Sequence, residues 1–151
     1  AGLEPATVML ELTESAIMAD KDIAIDVLTG LRDGGFDIAI DDFGTGYSSM
    51  AYLRDLPLTV LKIDRGFIRG IPEDAHSLAI VTSLIELARS LRLKVVAEGV
   101  ETQEHLDALL ARGCGLAQGW LWSPALSVEQ LRSSKILTDR FAADDVWPIV
   151  S

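Results

Sequence analysis

Cysteine is nearly absent from this chain. Cys114 is the single one, which excludes an internal disulfide and a multi-cysteine zinc cluster and leaves the redox compartment reducing or undetermined. Long apolar runs are missing as well. The stretches Val27–Leu31 and Leu78–Val81 fall far short of the roughly 20 residues of a membrane span, and no signal-like segment opens at Ala1. The expectation is a soluble, cytoplasmic protein without membrane contact. Basic side chains are scarce: 13 against 23 acidic ones give a formal net charge of −10. Such a chain lacks the Lys and Arg excess that drives general DNA or RNA binding, although bound cations invert the sign locally and admit a phosphate ester. No internal repeat, low-complexity segment or linker interrupts the sequence. What is present suffices for one domain with a sizeable core: 151 residues, 49% of them hydrophobic.

Runs of β-branched and aliphatic residues recur at Thr7–Leu12, Phe36–Ile40, Thr59–Ile63, Lys94–Ala97 and, more weakly, Cys114–Gly119. Their continuity predicts strands buried on both faces. Helical spacing lies between them: Leu78, Val81, Leu84, Ile85, Ala88 and Leu91 share one face, and Leu106, Leu109 and Leu110 begin another that stops at Gly113. A helix is predicted from Ser15 to Arg32 before Gly34 and Gly35, and Ser127 with Gln130 fits a capping box. The order βαβαβαβα predicts an α/β fold with a parallel sheet, either open and doubly wound or closed as a barrel. The pattern holds over residues 1–137, and 138–151 reads as a carboxyl-terminal extension.

The polar residues favour the barrel. Glu11 and Glu14, Asp41 and Asp42, Lys62 and Asp64, Glu98 and Glu101, and Gln118 fall at the carboxyl ends of successive predicted strands. A (β/α)₈ barrel gathers those ends on one rim. Carboxylates crowded there repel one another unless cations lie between them, and an oxygen-only set, with neither His76 nor His105 at a strand end, favours Mg²⁺, Mn²⁺ or Ca²⁺. Lys62 in such a setting activates water if its pKa is lowered, or neutralises an oxyanion. The outline is two-metal phosphoester hydrolysis. Each residue also has a plainer role available: Asp42 as a turn cap before a helix near Ser48, Glu14 and Glu101 as charges at helix amino termini, Lys62 in a structural ion pair. The "DFG" at Asp42–Gly44 lacks the other kinase motifs, and "GTGYS" lacks the lysine and spacing of a P-loop.

"LELTES" (Leu10–Ser15), "DDFGTGYSS" (Asp41–Ser49), "LKID" (Leu61–Asp64), "AEGVET" (Ala97–Thr102) and "AQGW" (Ala117–Trp120) occur in an order that resembles the EAL-domain family of cyclic-di-GMP phosphodiesterases. The resemblance implies a partial TIM-type barrel holding about strands three to eight, and hydrolysis of cyclic-di-GMP to linear pGpG with two Mg²⁺ or Mn²⁺ ions. It implies Glu11, Asp41, Asp42 and Glu98 as metal ligands, with Asp41 bridging, and Lys62 together with Glu98 and Glu11 as the catalytic set. Asp64, Gln118 and Gly119 are implied at the substrate, and Glu14, Glu101, Gly44, Thr45 and Gly46 in anchoring the loop or supporting the ligands. The segment that names the family, with its first two strands, lies outside this sequence, and "DALLAR" at Asp107–Arg112 reads as an ordinary helix face. A non-catalytic cyclic-di-GMP-binding or signalling module, or an inactive fragment, is the alternative. An open barrel edge at Thr7–Leu12 predicts self-association, as a homodimer or otherwise, and an upstream regulatory domain is expected in the full-length protein.

Overall fold

The computed structural model describes residues 2–13, 21–44 and 53–133, apart from the side chains of Lys21, Asp22 and Asp42. Its centre is a five-stranded sheet in the order β1-β2-β3-β4-β5, formed by β1 (Met9–Thr13), β2 (Asp37–Phe43), β3 (Val60–Ile63), β4 (Lys94–Ala97) and β5 (Leu116–Ala117). Every neighbouring pair is parallel. The strand order follows the chain order, as in a barrel wall laid down strand after strand. Each of the five apolar runs became a strand. A 3₁₀ turn at Pro5–Thr7 delays β1 to Met9, and β2 extends three residues beyond Ile40 to include both aspartates.

That extension is irregular. Ile40 pairs with Leu61 and Phe43 with Ile63, so the register shifts between them. An extra residue enters β2 at Asp41–Asp42, as in a β-bulge, a device that re-aims side chains beside functional sites.

Five helices occur among the described residues: α1 (Lys21–Asp33), α2 (Arg65–Ile68), α3 (Ala75–Ser90), α4 (Gln103–Leu110) and α5 (Val128–Ser133). The face of α3 reads as its spacing dictates, with Val81, Leu84, Ile85 and Ala88 buried. Its start is fixed by Asp74, whose carboxylate accepts from the amides of His76 and Ser77. The capping box before α5 is present in both directions: the Gln130 amide donates to Ser127 Oγ at 3.3 Å, and the Ser127 amide donates to Gln130 Oε1 at 2.8 Å. The short α2 carries no apolar period that sequence reading could detect. The predicted Ser15–Asp20 part of α1, the helix near Ser48 and the boundary at residue 137 lie outside the described residues.

The two faces of the sheet divide the core. Leu10, Leu12, Ile38, Ile40, Leu61, Ile63, Ala97 and Ala117 pack with the helices. Met9, Ala39, Val60, Val96 and Leu116 form a separate apolar layer on the other face. Because side chains alternate along a strand, the residues two positions further on return to that second face. They are Glu11, Asp41, Lys62, Glu98 and Gln118.

Candidate active site

An apolar floor thus carries a polar tier at the carboxyl ends of the strands. The tier is slanted: Glu11 is level with Ala39 and Val60, whereas Lys62 is level with Val96 and Leu116. This is the stagger expected of tilted barrel strands.

Lys62 stands at the centre of the tier with its side chain only 5% exposed, and its Nζ lies 2.6 Å from Glu11 Oε2, 2.5 Å from Glu98 Oε1 and 3.1 Å from Asp41 Oδ1. Strands β1, β2 and β3 and the residue following β4 therefore each contribute one charge to a single point. Gln118, directly after β5, donates from Nε2 to Glu98 Oε1 at 2.9 Å. Asp41 Oδ1 is buried and completes no hydrogen bond; its approach to the ammonium has ion-pair distance without hydrogen-bond alignment.

The electrostatics follow from this enclosure. Burial alone would lower the Lys62 pKa, but the hydrogen-bonded Glu11 carboxylate and the close carboxylates of Glu98 and Asp41 outweigh it and hold the side chain protonated well above its ordinary range. Glu98 moves upward, mainly because burial disfavours its charge, and the negative charges of Asp41 and Glu11 add to the effect against the opposing pull of Lys62. In this arrangement Lys62 is a donor, and a role as base requires other cations to displace it.

The donor set suits a hard divalent cation in kind: carboxylate oxygens, one of them buried without a hydrogen bond. With three carboxylates around one ammonium, the ionised cluster stays negative overall and attracts further positive charge. Among the described residues, however, no group of three acidic, histidine or cysteine side chains is spaced to enclose a metal ion as it stands. The Lys62 ammonium takes the point on which the oxygens converge.

The remaining expected residues are placed as follows. Asp64 caps α2, its Oδ1 accepting from the Gly66 amide at 2.9 Å, and takes no part in the cluster around Lys62. Glu101 lies 3.8 Å from Arg69 on the half-exposed rim. Gly44 follows β2 with φ 95°, where a side chain is disfavoured. Gly119 lies against the backbone after β4, and a Cβ there would come within 2.2 Å of the Val100 oxygen. That contact joins the β4 and β5 ends, where the Val100 amide also donates to the Gln118 carbonyl at 3.0 Å. Asp42 lies in the bulge, and its side chain is outside the described residues, as are Glu14, Thr45 and Gly46.

Two residues, Arg69 and His105, support Glu101 and were not read from the sequence. Arg69 reaches Glu101 from a helix too short to show a period. His105, buried on α4, accepts from the Glu101 amide through Nδ1 at 3.3 Å, and the Thr102 side chain caps that helix. Trp120 is 71% exposed directly after Gly119. The "TxxH" spacing of cap and third helical residue was a usable signal for the second of these.

The family described as the EAL domain matches residues 1–125. A bifunctional diguanylate cyclase/cyclic di-GMP phosphodiesterase of Pseudomonas aeruginosa, MucR, is 48% identical over 132 residues, covering 87% of this chain and 19% of that protein. The chain therefore spans about a fifth of this curated relative's length. The solved EAL domain of Mycobacterium smegmatis DcpA is similar with a TM-score of 0.84 at 41% identity, over 91% of this chain and 61% of that one. A manganese/cyclic-di-GMP complex of Klebsiella pneumoniae BlrP1 has a TM-score of 0.75 at 39% identity, over 82% of this chain and 31% of that one. The fold expectation is met: a parallel α/β sheet that forms part of a TIM-type barrel.

Proposed function

Since this chain belongs to the EAL domain family, we propose that it hydrolyses cyclic-di-GMP to linear pGpG with the aid of two divalent cations, Mg²⁺ or Mn²⁺. The observation that carries this reading is the convergence of Glu11, Asp41 and Glu98 on Lys62 at the carboxyl ends of the strands. The likeness to MucR and to the BlrP1 complex with manganese and cyclic-di-GMP supports it.

Glu11, Asp41 and Glu98, with Asp42 as the family resemblance implies, would hold the cations. When bound, these supply Lewis acidity at a phosphate oxygen and a water of lowered pKa. Glu98 is kept in orientation by the Gln118 amide, so its second oxygen is presented consistently. Lys62 donates to a phosphate oxygen or orients the attacking water from the middle of the tier. Water adds at phosphorus and one ester P–O bond breaks, leaving a phosphate at one end of the linear dinucleotide and a ribose hydroxyl at the other. Asp64, Gln118 and Gly119 contact the substrate at the rim, while Glu14, Glu101, Gly44, Thr45 and Gly46 support the loops that carry the ligands.

Residues 1–137 form the barrel portion and 138–151 an extension. Among the described residues β1 pairs only with β2, which supports self-association through its free edge. The greater length of MucR supports an upstream regulatory domain in the full-length protein. No helix among the described residues is long and apolar enough to cross a membrane, in keeping with a cytoplasmic site of action. The test is incubation of the chain with cyclic-di-GMP and Mn²⁺ or Mg²⁺, with pGpG separated by chromatography. Product that disappears in Glu11→Ala supports hydrolysis, whereas retained, unhydrolysed nucleotide favours a binding module.

A further inference from the structure

We propose that Lys62 is a built-in stand-in for a divalent cation, holding Glu11, Asp41 and Glu98 in their places until a metal ion displaces its ammonium from among them. The inference rests on the reading above that these carboxylates hold cations. It adds what the chain does before they arrive.

The geometry supports it at each step. Three carboxylates drawn from three segments lie within 3.1 Å of one nitrogen, so the ammonium takes the point on which they converge. Left alone they would repel, and the apolar layer of Met9, Ala39, Val60, Val96 and Leu116 beneath them offers no counter-charge. A cation at their centre relieves that repulsion, and among the described residues Lys62 supplies it. Its ammonium satisfies the site incompletely: Asp41 Oδ1 completes no hydrogen bond, and the charge of three acids exceeds that of one lysine. A divalent ion therefore still gains by entering. The long, flexible lysine stem allows the ammonium to withdraw, and a withdrawn ammonium remains beside the site, available to an anionic substrate.

Occupation by Lys62 has a measurable consequence, because each entering ion must compete with it. The test is a Mn²⁺ titration of the wild-type chain, Lys62→Met and Lys62→Gln, followed by calorimetry and by thermal melting with and without Mn²⁺. Both variants are expected to bind Mn²⁺ about tenfold or more tightly than wild type, the scale on which withdrawing a competing unit charge acts. Without metal they melt at lower temperature than wild type, and Mn²⁺ restores more of that stability than it adds to wild type. Lys62→Gln, which keeps a hydrogen-bond donor, serves if Lys62→Met does not fold without metal. Wild type that binds Mn²⁺ while the folded variants bind it equally or more weakly overturns this inference alone. Failure of all three proteins to bind Mn²⁺ overturns the cation reading and this inference with it.

Discussion

Gln118 donates its side-chain amide to Glu98 Oε1 at 2.9 Å, and the same oxygen lies 2.5 Å from the Lys62 ammonium. One oxygen of Glu98 is thereby committed to two donors, which fixes the plane of the carboxylate. Gln118→Ala removes one of them without disturbing the apolar layer below. Partners that orient a ligand typically matter by about 10- to 100-fold. The expected result is a loss of that size in Mn²⁺ affinity or hydrolysis rate, with a melting temperature close to wild type.

Gly119 joins the ends of β4 and β5. A methyl at this position would meet the backbone oxygen, nitrogen and carbon of Val100 at 2.2, 2.4 and 2.8 Å, and backbone cannot rotate aside as a side chain does. Gly119→Ala is expected to cost about 1–3 kcal/mol, as overpacking does, and to displace Gln118 with it. Gly115→Ala is the control, since a Cβ there meets nothing within 4 Å. Denaturant midpoints of the two variants check the difference.

The opposite end of the sheet makes a pH prediction. Lys94 Nζ lies 2.9 Å from Asp37 Oδ2. Burial works against the Asp37 carboxylate, but hydrogen bonds from Lys94 and Thr59, with the charge of Lys94, together hold it below its usual 3.8. A lowered folded-state pKa contributes stability above 3.8 that is lost as pH falls through the folded value. The melting temperature of wild type should therefore fall more steeply than that of Asp37→Asn on acidification below that point, and the two curves should run parallel near neutrality. Identical slopes would show that the pair contributes nothing to acid stability.

Much of this architecture was legible because buried parallel strands advertise themselves as continuous apolar runs, as at Thr59–Ile63 and Lys94–Ala97. The position of the charges at the strand ends was legible too. The extent of β2 was not: two adjacent aspartates look like the start of a loop, and a bulge that absorbs one of them depends on the neighbouring strand. Convergence on Lys62 was equally hidden, because it depends on the register of four segments distant in sequence. The cap that Asp64 provides was hidden as well: its carboxylate accepts from the Gly66 amide and starts a helix of four residues, too short to reveal itself by periodicity.

The most direct test of the central claim is the rate of cyclic-di-GMP hydrolysis by Asp41→Asn beside wild type, in saturating Mn²⁺ and with equal folding verified by circular dichroism. Asparagine keeps the shape of the side chain and removes the charge that, with Glu11 and Glu98, surrounds Lys62. The account predicts pGpG from wild type and a rate about 100-fold lower or less in the variant, the scale on which misplacing a reacting group acts. Equal rates in the two proteins would contradict it.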